Sequence, residues 1–113
     1  MGRWAMYRRR GGGSLPQTGL SVSSVSLDPL DLTVATFTFD RAFSASSTDP
    51  GDWFGLDIAG LDINAVISID ALDGQVSLQF VSPGIPGVTQ WNVTGQPAAI
   101  AEDVRVPQSG TVL

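Results

Sequence analysis

No cysteine and no histidine occur in this 113-residue chain, and its six basic residues are all arginine. Without thiols there is no disulfide framework and no thiolate metal site. Without histidine the commonest general base and zinc ligand are missing, and without lysine so is the amine nucleophile. Basic charge is also absent from most of the length. After Arg10 only Arg41 and Arg105 remain, against eleven Asp and Glu. No apolar run approaches the ~20 residues of a membrane-spanning helix. Arg8-Arg9-Arg10 is followed by Gly11-Gly12-Gly13-Ser14, where a secretory signal would place its apolar stretch. These absences set the expectation of a non-enzymatic protein with no cofactor, no bound metal and no membrane contact, made in the cytoplasm.

What is present is divided by charge. Arg3, Arg8, Arg9 and Arg10 place +4 on the first ten residues, with no acidic residue before Asp28. The remainder, with two arginines against eleven acids, carries −9, and the whole chain −5. The first ten residues also hold Trp4, Met6 and Tyr7, too little apolar material to fold alone. Gly11 to Ser14 reads as a flexible hinge, and Leu15-Pro16-Gln17-Thr18-Gly19 as a turn or extended lead-in. The expected organisation is a basic, Gly-rich N-terminal arm and linker over residues 1–18 and one folded domain over residues 19–113. A domain of about 95 residues buries roughly 60–65% of its unfolded surface, enough for a core without staples.

Beyond Gly19 the hydrophobic period is two, that of β-strands. Leu20 and Val22 alternate with serines, then the phase slips at Ser23-Ser24 and Val25 and Leu27 take over, which predicts a bulge. Leu32 to Asp40 places Ala35, Phe37 and Phe39 on one face. Trp53 to Ile58 reads as a short strand with Phe54, Leu56 and Ile58 in phase. Leu61, Ile63, Ala65, Ile67 and Ile69 give the cleanest alternation, and Asp70 to Gly74 a hairpin connection with Gly74 at positive φ. Val76, Leu78 and Phe80 return; Trp91 and Val93 mark a strand over Thr89 to Thr94; Ile100, Val104 and Val106 are expected to form the last one. Seven short strands with turn signals between them predict an all-β antiparallel sandwich. Its expected interior is Phe37, Phe39, Leu56, Ile63, Ile67, Leu78, Phe80, Trp91 and Val93.

The succession Thr36-Phe37-Thr38-Phe39-Asp40-Arg41-Ala42-Phe43, an Asp-rich loop, a hairpin, then Trp91-Asn92-Val93-Thr94-Gly95 and a closing strand carries a resemblance. Over roughly residues 19–106 it resembles the small bacterial immunoglobulin-like domains of surface-layer proteins and tailed-phage virions. These commonly have Pro where this chain has Ala42. With the basic arm added, the whole chain resembles a small decoration protein of a phage head. The resemblance implies an immunoglobulin-like β-sandwich with a structural, capsid-stabilising role in the virion, assembly in the host cytoplasm, and no catalytic residues.

Six candidate partner-binding residues lie in the arm: Arg3, Trp4, Tyr7, Arg8, Arg9 and Arg10. Arginine forks pair with carboxylate or phosphate, and Trp and Tyr anchor in pockets. The arm therefore reads as an anchor rather than a solvated tail. The −9 body disfavours nucleic acid as the target and favours an acidic protein lattice or a neighbouring copy of the chain. Trp53, out of phase with Phe54, Leu56 and Ile58, is expected to face outward as a seventh contact residue. An outward Trp53 with the Asp-rich loops also keeps open a carbohydrate- or cell-surface-binding module. Leu15 to Gly19 matches the sortase sorting motif letter for letter, but stands before the domain and reads as a linker. Asp49, Asp52, Asp70 and Asp73 could ligate Ca²⁺ or pair as acid and base, yet their position in turns favours a turn-forming role. Asn92-Val93-Thr94 fits a glycosylation sequon but falls inside an expected strand.

Overall fold

The computed structural model describes residues 19–81, 85 and 89–113. The arm, the hinge and the sorting-like motif up to Thr18 lie outside the described residues. Seven strands run in chain order: β1 (Val22–Asp28), β2 (Asp31–Phe39), β3 (Leu56–Ile58), β4 (Ile63–Asp70), β5 (Gln75–Phe80), β6 (Gln90–Val93) and β7 (Gln108–Thr111). They form a four-stranded sheet ordered β1-β2-β5-β4 and a three-stranded sheet ordered β3-β6-β7. Every strand pair is antiparallel. This is the strand order of a constant-type immunoglobulin sandwich, A-B-E-D against C-F-G.

The pleat explains the core. Cross-strand pairs such as Phe37 with Val76 and Ala35 with Leu78 stand on one face of the first sheet. Val25, Phe37, Phe39, Val76, Leu78 and Phe80 from that sheet meet Leu56, Ile58, Trp91 and Val93 from the other. Leu20, Phe43, Trp53, Ile100 and Val104 fill in from the connections. Phe39, Phe43 and Trp53 pack edge to face, with ring centroids 5.5 and 6.2 Å apart. The outer face of the first sheet is polar, and Thr36 and Ser77 hydroxyls hydrogen-bond across β2 and β5 at 2.7 Å.

Several sequence expectations are met. The register of β1 shifts between Val22 and Ser24, where the phase slip was expected. Gly74 ends the β4–β5 turn with φ of 71°, in the left-handed region. Three expectations need correction. Ile67 was expected inside and is 52% exposed, while Ile63 is only half-buried. Two register irregularities along β4 break its alternation. Residues Trp53 to Ile58 do not form one strand: Pro50–Trp53 is a 3₁₀ turn, and only Leu56–Ile58 is extended. The last strand is Gln108–Thr111, beyond Pro107. Ile100 and Val104 are buried in isolated bridges to Ala45 and Leu20, and Val106 is exposed.

The two long edges of the sandwich differ. Along the β1–β7 edge the sheets are stitched together. Leu20 bridges Val104 in parallel, its N–H donating to Asp103 O at 2.7 Å and its carbonyl accepting from Arg105 N at 3.0 Å. Leu113 N donates to Val25 O at 2.8 Å, and Leu27 N to Leu113 O at 3.2 Å. The Gln108 amide donates to Leu20 O and Arg105 O at 3.0 and 2.7 Å, and its oxygen accepts from Val22 N at 2.8 Å. Gln96 does the same for the preceding loop, accepting from Val104 N at 2.8 Å and donating to Glu102 O at 2.9 Å. On the opposite edge, none of the described backbone hydrogen bonds joins β3 to β4.

Candidate functional site

The unstitched edge opens into a groove of about 540 Å³. One side comes from the 3₁₀ turn and β3 through Phe54, Leu56 and Asp57; the other comes from the start of β4 through Leu61, Asp62 and Ile63. Its size falls within the roughly 300–1,000 Å³ of sites that accept ligands or anchoring side chains.

The 3₁₀ turn decides what faces this groove. Asp49 caps it, its carboxylate accepting from Gly51 N at 2.9 Å, with Pro50 as the first turn residue. A helical turn changes the direction of each successive side chain by about a third of a revolution instead of alternating it. Trp53 consequently points into the core, fully buried, with its indole N–H donating to Ser47 O at 3.1 Å. Phe54 emerges to solvent and is 79% exposed on the groove. Gly55 then resets the chain for β3 with φ of 116°, and a side chain there would strike the carbonyl of Gly95. Trp53 is thus corrected from contact residue to core residue, and the exposed aromatic is its neighbour Phe54. The Asp-Pro-Gly-Asp run before Trp53 is the signal that identifies the turn, because it places a cap and a proline where a strand would not begin.

Charge around the groove is one-sided. Asp57 is half-buried and Asp62 exposed. Asp57 accepts from Asn92 Nδ2 and Gly60 N at 3.4 Å, which holds its carboxylate at the groove. The two described arginines lie at the other edge. Arg41 donates to Gly19 O and pairs with Asp40 at 3.3 Å; Arg105 donates to Ser21 Oγ at 2.7 Å.

The other acidic candidates take part in turns. Asp49 is the cap already described, and Asp70 accepts from Asp73 N at 3.4 Å in the β4–β5 turn. Asp70 raises the Asp73 carboxyl above its ordinary value, through a shared hydrogen bond and through repulsion. Glu102 is held below its ordinary value by the Ser44 backbone N–H at 2.7 Å, with the Ser44 hydroxyl adding to it. Asp31 is lowered by the hydroxyl and N–H of Thr33. Among the described residues no three His, Cys, Asp or Glu gather closely enough to hold a metal ion. Asn92 of the sequon sits on β6.

Of the seven candidate contact residues, Arg3, Trp4, Tyr7, Arg8, Arg9 and Arg10 lie outside the described residues, and Trp53 is internal. Phe54, Asp57 and Asp62 are the residues that the structure adds. No family model matches this chain, no curated protein matches its sequence, and no solved structure matches its fold.

Proposed function

We propose that this chain is a non-enzymatic structural accessory protein that attaches to a large protein assembly through its basic arm, with the acidic sandwich as the exposed body. A tailed-phage capsid is the specific assembly proposed, which makes the chain a virion decoration protein assembled in the host cytoplasm. The observation that carries this reading is the charge division. Four arginines with Trp4 and Tyr7 lie within ten residues, ahead of a domain with a net of −9. The domain's two arginines both sit where the chain enters the fold, bonded to Gly19 O and Ser21 Oγ, so their charge is confined to that edge. The carboxylates of Asp49 and Asp70 are engaged in turns, and the chain has no histidine, cysteine or lysine to act beside them. The carbohydrate-binding alternative depended on an outward Trp53, which is inside the core.

The test is co-sedimentation with the virus-sized particles of the producing cells. The full chain is compared with Arg8→Ser/Arg9→Ser/Arg10→Ser and with Trp4→Ala. The arginine variant should lose binding most at low salt, where screening is least, and Trp4→Ala at every salt concentration. Equal binding by all three proteins would sink the reading.

A further inference from the structure

We propose that the groove between β3 and β4 receives residues 3–10 of a second copy of this chain, so that copies join head to tail. The inference rests on the reading of the arm as an anchor and names one thing that it holds.

The chemistry of groove and arm is complementary. The groove combines apolar Phe54, Leu56, Leu61 and Ile63 with the carboxylates of Asp57 and Asp62. The arm combines Trp4 and Tyr7 with an arginine beside each, Arg3 and Arg8, followed by Arg9 and Arg10. Aromatic anchors entering an apolar cleft while guanidinium forks pair with carboxylates at its rim is a common form of peptide recognition.

The placement of charge selects this edge. Arg41 and Arg105 both lie where the chain enters the fold, near Gly19 and Ser21. Asp40, paired with Arg41, and Asp103, close to Arg105 in sequence, offset those two charges, whereas at the opposite edge carboxylates line the groove without an arginine among the lining residues, so a basic arm is attracted there.

Topology suits a second copy. The arm joins the domain at the β1–β7 edge, and β3 and β4 are the strands farthest from β1 and β7 in their respective sheets. Fourteen residues lie between Trp4 and Gly19, a reach of up to about 50 Å when extended. A donor on one edge and a receiver on the other make a heterologous contact, which propagates into a ring or an array instead of stopping at a dimer. Repetition of that kind suits a protein that covers a lattice.

Two full-length variants test this. The first has an inactive arm, Trp4→Ala with Arg8→Ser/Arg9→Ser/Arg10→Ser, and an intact groove. The second has an intact arm and an altered groove, Phe54→Ser with Asp62→Arg. Thermal melts followed by circular dichroism establish that both fold. If the second does not, Phe54→Ser alone replaces it, since that side chain lies mostly in solvent.

Sedimentation velocity is then run over a dilution series. The unmodified chain should self-associate with concentration, and Phe54→Ser should weaken that association by about tenfold or more, as loss of an aromatic anchor does. Each variant alone should remain monomeric. Their equimolar mixture should form a one-to-one pair and nothing larger, because only one live arm and one live groove can meet. A monomeric mixture overturns the proposal, and so does an unmodified chain that stays monomeric across the dilution series, the result expected when each arm folds back onto its own groove. Particle co-sedimentation separates the two readings. An unpaired mixture with arm-dependent particle binding sinks this inference and spares the proposed function. A paired mixture with arm-independent particle binding does the reverse.

Discussion

Replacing Gln108 by methionine removes a side chain that closes one edge of the sandwich while keeping its length. The amide of Gln108 serves Leu20 O, Arg105 O and Val22 N, at 3.0, 2.7 and 2.8 Å. Gln108→Met leaves Arg105 O and Val22 N without this partner, while Leu20 O keeps its bond from Arg105 N. A buried polar group so abandoned costs about 1–3 kcal/mol. This site is only partly buried, so water recovers some of that, and a total loss of about 2–4 kcal/mol is expected. In urea unfolding the midpoint should fall by roughly 1.5–3 M with the slope unchanged. Gln108→Glu provides a second measurement. Its carboxylate still accepts from Val22 N, but it faces two carbonyls to which it cannot donate. Its folded-state pKa should rise, so the variant is weakest above the carboxylate range and regains stability as acid restores an O–H donor. A loss below about 0.5 kcal/mol for Gln108→Met would refute the view that the amide holds this edge. A Gln108→Glu variant whose deficit does not change with pH would refute it equally.

Neighbouring aromatics should behave oppositely: Trp53→Ala should cost about 3–5 kcal/mol and Phe54→Ala less than about 0.5, read from chemical denaturation of each. Gly55→Ala should cost about 2 kcal/mol or more, from positive φ combined with the Gly95 carbonyl, and a near-neutral result would contradict that backbone geometry. Glu102 has a lowered folded-state pKa, so its contribution is present above the ordinary glutamate range and is lost as pH falls through the folded value. Melting temperature against pH should show that acid loss in the parent and less of it in Glu102→Gln. Asp73 is raised by Asp70, so its charge opposes folding at neutral pH; Asp73→Asn should raise the neutral melting temperature and narrow the difference from the parent on acidification.

The strands that were legible in the sequence are those whose two faces differ in polarity. Phe37 and Phe39 alternate with Thr36 and Thr38, and Leu78 with Ser77 and Gln79, so burial follows from period alone. The bulge near Ser23 was legible because the inward face changes there. Local periodicity fails where another element fixes direction. Residues Leu61 to Ile69 alternate cleanly, yet β4 is an edge strand with two register irregularities, and Ile67 turns outward. Val104 and Val106 imitate a strand, while the true last strand has little apolar content because Gly110 leaves its space to the Trp91 ring. The groove was not legible from any one segment. It arises because the sheet order leaves β3 and β4 as adjacent, unjoined edges.

The stitched edge also has a consequence in time. It joins residues 83 to 88 apart in sequence, as in the contacts of Leu20 with Asp103 and with Gln108. During synthesis at about 5–20 residues per second, β1 exists for roughly 4–17 s before the residues that complete its outer edge are made. For that interval its outward backbone groups are open to pairing with another nascent chain. An apolar β1 would then be a site of aggregation. Ser21, Ser23, Ser24 and Ser26 keep this stretch polar and poor in the continuous apolar surface that steric zippers require. Ser21 and the serines of β1 thus protect the chain before closure, and Ser23 and Ser26 face solvent after it.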